Sequence, residues 1–288
     1  MRILILGATG MLGHRLFIEL SKHHEVWGTY RDNIPTFADK HHFLHMGVVD
    51  WQWNVDAIQS VKPDVVINCT AATPQRNPTP QDMISVNAML PHDLAASCGI
   101  RNIRLIHFST DGVFGSILPP AWGNLHDEND VPDASDVYGM TKRLGEINDK
   151  PHAITLRVCP IGRELYTKHS FVEWALSQSG TIQGYKQALF SGITSHELAR
   201  VINEYVLPHP ELSGLYHVGG GVNSKYNVLM LLKAAYQLPI EIELSHSGIA
   251  RGLSTKKFQE ATGYVPPSWE DMIKTMAADN ALYEGVTA

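Results

Sequence analysis

The sequence predicts an α/β protein: a doubly wound parallel sheet with a smaller, mixed α/β lobe towards the C-terminus. Three features carry that prediction. Short β-branched runs alternate with amphipathic stretches through the first half, a glycine-rich turn follows the first run, and beyond about residue 160 the alternation loosens. Alternation of this kind needs crossover connections, which are right-handed and lay helices over a parallel sheet.

Strands are expected at Arg2–Leu6, Glu25–Tyr30, Asp64–Asn68, Ile103–Ser109 and His152–Arg157, where β-branched and aliphatic residues cluster. Between them, Met11–His23, Gln81–Ala96 and Tyr138–Ile147 carry helical periodicity. In the second half, Thr194-Ser-His-Glu197 and Ser268-Trp-Glu-Asp271 match the capping-box pattern and should each start a helix, while Ser224 caps another over Lys225–Tyr236. Leu215–Val218, followed by three glycines, reads as a further strand, and Ile240–Leu244 alternates like an edge strand. The expected division is 1–161, with 193–220 returning to it, for the sheet domain, and 162–192 with 221–288 for the lobe. Sheets of this type bind ligands beyond the carboxyl ends of their strands, so a cleft between the two parts is the expected site.

Composition narrows the function classes. With 23 basic and 29 acidic residues the 288-residue chain carries a formal charge of -6, which leaves no basic footprint for nucleic acid or an anionic membrane. An anionic ligand must be met locally, by backbone amides or single arginines. Cys69, Cys98 and Cys159 are far apart and form no C-x-x-C, which suits free thiols in a reducing compartment. No apolar run approaches the roughly 18 residues needed to span a bilayer, so a cytoplasmic protein is expected. Fifteen histidines contain no H-E-x-x-H and no zinc-like spacing, and are read as structural or solvated; no metal is expected. Asp127, Glu128 and Asp130 are read as a solvated acidic loop. The oligomeric state is left open, a homodimer included.

Chemistry enters with I-L-I-L-G-A-T-G-M-L-G, in which Gly7, Gly10 and Gly13 stand three residues apart between a strand and a helix. That placement suits a dinucleotide: a tight turn, a close approach for the pyrophosphate, helix–strand packing, and helix amides facing the phosphates. The turn's candidate contacts are Gly7, Thr9, Gly10, Met11, Leu12 and Gly13. The second strand ends in Tyr30-Arg31-Asp32. Arg31 arrives first and can pair the 2′-phosphate of NADP(H), which is favoured, while Asp32 keeps NAD(H) open.

Tyr138 and Lys142, in D-V-Y-G-M-T-K, are four residues apart, so a helix puts them on one face. Composition alone gives about 0.4 such pairs per chain of this kind, so their context decides. An ammonium beside a phenol should lower its pKa and make it a usable proton donor. Thr110, at the carboxyl end of the strand Ile103–Ser109, can hydrogen-bond a substrate carbonyl or the phenol, and Asp111 beside it can orient substrate.

Together these motifs resemble the extended short-chain dehydrogenase/reductase superfamily: G-x-x-G-x-x-G, a Ser/Thr ending the fifth strand, and Tyr-x-x-x-Lys. The resemblance implies a Rossmann-type fold and Thr110, Tyr138 and Lys142 as the catalytic set. It also implies Asp50 as an adenine contact, Asn68–Ala72 with Ala71 and Ala72 as the loop over the cofactor, and Asn87 behind the site. S-T-D-x-V-F at Ser109–Phe114, L-R-V-C-P-I-G at Leu156–Gly162, S-F-V at Ser170–Val172, G-I-T-S-H-E-L-A at Gly192–Ala199 and G-L-Y-H at Gly214–His217 resemble its dTDP-4-dehydrorhamnose reductase branch. Two departures bear on the sugar: Gly112 stands where the branch has tyrosine, and Arg251-Gly252 where it has R-P. Ser170, Trp174 and Arg251 are candidate substrate contacts, Arg251 as a diphosphate partner; Trp122, Trp174 and Trp269 could stack a base but are read first as packing.

The implied activity is an NAD(P)H-dependent reduction of the keto group of a nucleotide-activated 4-keto-6-deoxysugar in surface-polysaccharide synthesis. Two alternatives stay open: an epimerase or dehydratase of the same superfamily, which would retain NAD, and a non-catalytic NADP-binding regulatory subunit.

Overall fold

The computed structural model describes residues 1–34, 42–46, 51–115 and 125–284. Asp50 and Trp122 lie outside these. The chain runs β1 (Arg2–Leu6), α1 (Met11–Leu20), β2 (Glu25–Tyr30), β3 (Phe43–His45), α2 (Trp51–Val61), β4 (Val65–Asn68), α3 (Pro80–Met83), α4 (Leu90–Ile100), β5 (Arg104–Thr110), α5 (Val137–Leu144) and β6 (Ala153–Val158). The second half holds β7 (Pro160–Ile161), α6 (Phe171–Leu176), β8 (Gly180–Tyr185), β9 (Leu189–Phe190), β10 (Ile193–Thr194), α7 (Ser195–Val201), β11 (Gly214–His217), β12 (Asn223–Ser224), α8 (Lys225–Tyr236), β13 (Ile240–Ser245), α9 (Lys256–Thr262) and α10 (Trp269–Ala278).

Seven strands form one parallel sheet in the order β11-β6-β5-β4-β1-β2-β3. Its strands read as unbroken apolar runs because both faces are covered. Alternate residues feed opposite cores: Ile3, Ile5, Ile67, Ile106 and Phe108 join a cluster with α1 and α7, whereas Leu4, Leu6, Val66 and Leu105 pack on the α2 and α4 side. The order reverses between β1 and β4, and the ends of those strands carry the glycine turn and the Asn68–Ala72 loop.

The expected caps are present: Thr194, Ser224 and Ser268 each accept an amide three residues on. Two features were not anticipated. Residues Ile84–Met89 form a π-helical stretch joining α3 to α4, so Gln81–Ala96 is not one uniform helix. Glycine-bearing Gly180–Tyr185 is a strand, pairing in parallel with Ile240–Ser245. Among the described residues no helix is long and apolar enough to cross a membrane, and no cluster of His, Cys, Asp and Glu could hold a metal ion.

Candidate active site

The glycine turn is fixed before any ligand arrives. Gly7 has φ +75°, a conformation that side chains strain to adopt, and its N–H donates to Thr29 Oγ1 at 2.9 Å. The helix that follows packs so tightly that a Cβ on Gly13 would lie 2.1 Å from Gly7 O. Gly10 is the N-cap of α1 and brings no side-chain acceptor, so the first-turn amides stay available to an anion. An open helix terminus after a turn begun by a positive-φ glycine suits a dinucleotide pyrophosphate. Gly7, Thr9, Gly10, Met11 and Leu12 line the cleft. Gly13 stands behind them, at the close contact between helix and turn.

The cleft has a volume of about 1300 Å³ and runs from that turn past Arg31, Ala71 and Ala72 to Thr110, Tyr138, Lys142, Ser170 and Arg251. Arg31 and Asp32 both face it, paired with each other at 2.9 Å and largely exposed. Asn87 is buried behind it. Its Oδ1 accepts from Ala72 N and its Nδ2 donates to Ala72 O, both at 2.9 Å. It therefore positions the Ala72 backbone beside the cleft.

Thr110 ends β5 opposite Val158. Its Oγ1 accepts from Gly112 N at 3.0 Å and donates to Asp111 Oδ1 at 3.1 Å, and Tyr138 lies on the other side of Gly112. Tyr138 sits in the first turn of α5, which Asp136 caps by accepting from Gly139 N at 2.9 Å. A Cβ on Gly112 would lie 3.3 Å from Thr110 Oγ1 and 3.4 Å from Tyr138 Cε1, so glycine here leaves the edge of the site open.

Lys142 follows one turn later, 3% exposed, and its Nζ donates to Phe108 O at 2.7 Å. Here the structure corrects an expectation. The Tyr138 phenol is pushed up to about 12, by burial first and also by the charge of Asp111, with Thr110 opposing. Burial also lowers the Lys142 ammonium to about 8. Without a ligand the low dielectric of the buried site outweighs the expected attraction of the lysine.

Ser170 lines the cleft, but its hydroxyl is engaged, accepting from Glu173 N and donating to Gly162 O. Trp174 does not line it. It stacks on Phe171, ring centroids 6.1 Å apart, and is 38% exposed. Trp269 is buried and its indole donates to Gly221 O, as the packing reading expects. Arg251 lines the cleft with a buried Nε lacking a hydrogen-bond partner. Glu128 accepts from His217 N at 2.7 Å, so this part of the acidic loop is a structural tie. Arg157 donates twice to Glu146, which also accepts from Ser109, a buried pair beneath the site as expected of a structural arginine.

Among the cleft residues that were missed, two carry polar chemistry next to Asp111 or Arg251 in the lining, Cys159 and Lys225. Cys159 follows β6 directly and lines the cleft, a position the strand-end rule could have marked. Lys225, the first residue of α8 after the recognised Ser224 cap, also lines the cleft.

A parallel sheet with a glycine turn at its reversal point, sharing one cleft with a threonine, tyrosine and lysine, is the arrangement of a dinucleotide-binding protein of the short-chain dehydrogenase type. Residues 3–148 match the NAD dependent epimerase/dehydratase family, and the chain belongs to it. A probable low-salt glycan biosynthesis reductase, Agl14, of Haloferax volcanii is 29% identical over 209 residues, 70% of this chain. The match spans only 64% of that archaeal protein. Methionine adenosyltransferase 2 subunit beta of Xenopus tropicalis is 28% identical over 265 residues, 83% of this chain and 73% of that protein. Among solved structures, dTDP-4-dehydrorhamnose reductase from Bacillus anthracis in complex with NADP has a TM-score of 0.77 at 19% identity, covering 96% of this chain and 99% of that one. At that identity the likeness is one of fold.

Proposed function

We propose that the protein is an NAD(P)H-dependent reductase of a nucleotide-activated 4-keto-6-deoxysugar, with NADP(H) the favoured cofactor. The observation that carries this is one cleft holding the glycine turn, Arg31, Thr110 and Tyr138. Residues 1–161 and 193–220 bind the dinucleotide, and 162–192 with 221–288 bind the sugar nucleotide. The reductase name of the archaeal relative and the fold shared with a dehydrorhamnose reductase support the substrate class.

The bound cofactor supplies a hydride to the carbonyl carbon. Thr110 holds the carbonyl oxygen and Tyr138 gives it a proton as negative charge develops there. Lys142 lies one turn below Tyr138, with its ammonium anchored on Phe108 O, and would hold the ribose of a bound cofactor. Arg251 and the first-turn amides of α1 meet the anionic groups of substrate and cofactor.

A second reading, a dinucleotide-binding regulatory subunit, is favoured by the likeness to a methionine adenosyltransferase beta subunit over 83% of the chain. A binding subunit needs no proton donor, and the Thr110, Tyr138 and Lys142 constellation favours the enzyme. A panel of nucleotide 4-keto-6-deoxysugars, tested with NADPH and NADH by loss of nicotinamide absorbance, separates the two. Tight NADPH binding without oxidation across the panel would favour the subunit.

A further inference from the structure

His14 lies directly behind the glycine turn, and no step of the proposed reaction uses it. It follows Gly13 in α1, is fully buried, and has both ring nitrogens engaged. Nδ1 lies 2.8 Å from Gly10 O, and Nε2 lies 2.8 Å from the Tyr283 hydroxyl. A carbonyl only accepts, so Nδ1 carries the hydrogen and donates it. Burial pushes the imidazole down to about 3, against its bond to Gly10 and with the charges of Arg15, His196 and Arg163, so the ring is neutral. Nε2 is then an acceptor, and Tyr283 donates to it. The hydrogen bonds run one way, from Tyr283 through His14 to Gly10 O.

That carbonyl accepts twice, from His14 Nδ1 and from His14 N at 3.1 Å. It shares a planar peptide unit with the Met11 N–H, which points the opposite way. Met11 lines the cleft, and the first-turn amides of a helix have no partner inside it. Fixing Gly10 O therefore aims the Met11 N–H, and hydrogen bonds aligned in one chain polarise each other, which strengthens the last donor.

We propose that Tyr283 is a positioning residue for the cofactor, acting through His14 to aim the Met11 amide at the pyrophosphate. The inference rests on the dinucleotide reading of the turn. Tyr283 stands 269 residues from His14, yet the segment that carries it is firmly tied. Asp279, which follows α10, accepts from Arg15 Nη1 at 2.7 Å and lies 3.2 Å from His196 Nε2. Arg163 donates to Asn280 and sits over the Tyr283 ring, 4.6 Å from its centroid. Burial raises the Tyr283 phenol to about 12, so it keeps the proton that it donates. The C-terminal segment thus closes on the side of α1 that faces away from the ligand.

The test uses Tyr283→Phe, which keeps the ring over which Arg163 sits and removes only the donated proton. Because NADPH and NADH share the pyrophosphate, both should bind about fivefold more weakly, the scale of one hydrogen bond. In protein labelled with nitrogen-15 methionine, with Met11 assigned by Met11→Leu, the Met11 amide resonance of the ligand-free protein should move. In a His14→Leu background, Tyr283→Phe should change neither the affinities nor that resonance, because the route is already cut. A lower melting temperature with both affinities and the Met11 resonance at wild-type values overturns the proposal and leaves Tyr283 as a staple. Equal losses in both backgrounds, or a loss confined to one cofactor, also overturn it. If His14→Leu does not fold, the affinities and the Met11 resonance of Tyr283→Phe decide alone. If wild type binds neither cofactor, the dinucleotide reading fails, and the Met11 resonance still decides whether Tyr283 reaches the turn.

Discussion

Replacing Lys142 by methionine should make the ligand-free protein more stable near neutral pH while abolishing its activity. The ammonium is 3% exposed, and burial lowers its pKa from 10.5 to about 8. A difference of about 2.5 pH units corresponds to about 3 kcal/mol of disfavour for the charged form. Losing the bond to Phe108 O gives back about 1 kcal/mol, for a net gain of about 2 kcal/mol. The sign follows from linkage. Below pH 8 the lysine is charged in both states and the folded state bears the full cost. Between about 8 and 10.5 the unfolded chain holds a proton that the folded one lacks, so wild-type stability rises with pH. The methionine variant has no such rise, and its advantage should vanish or reverse by pH 10. Urea denaturation of both proteins at pH 7 and pH 10 measures this. Destabilisation of several kcal/mol at pH 7, or an advantage that grows with pH, would refute the reasoning.

Two further substitutions probe the cofactor side. Gly13→Ala puts a Cβ 2.1 Å from the Gly7 carbonyl, and should cost about 1–3 kcal/mol and abolish dinucleotide binding; a variant that melts and binds like wild type would show that α1 does not close on the turn. Arg31→Ala should weaken NADPH binding about tenfold through loss of one exposed charge-assisted contact and leave NADH unchanged in titration calorimetry. Equal losses for both would remove Arg31 as the selector.

What the sequence made legible was whatever local order dictates. The β1–turn–α1 unit, the Thr110 strand end and the Tyr138–Lys142 spacing are each contained within about twenty residues of chain, and the parallel sheet brings their ends together. Features set by distant partners were not legible. Gly180–Tyr185 is a strand because Ile240–Ser245 lies beside it, some sixty residues away. The π-helical stretch, which places Asn87 against Ala72, depends on packing against α5. The same limit explains the Tyr138 and Lys142 titrations: spacing puts them on one helix, but burial, which spacing does not report, sets their pKa values. Trp174 was a reasonable stacking candidate from its motif, yet α6 turns it onto Phe171 and out of the cleft.

The most direct measurement is single-turnover oxidation of NADPH by a nucleotide 4-keto-6-deoxysugar, comparing wild type with Tyr138→Phe at equal cofactor occupancy. Loss of the phenol proton should slow hydride transfer by on the order of 100-fold or more while NADPH Kd stays within about twofold. Unchanged turnover in Tyr138→Phe would contradict the role given to the cleft's tyrosine.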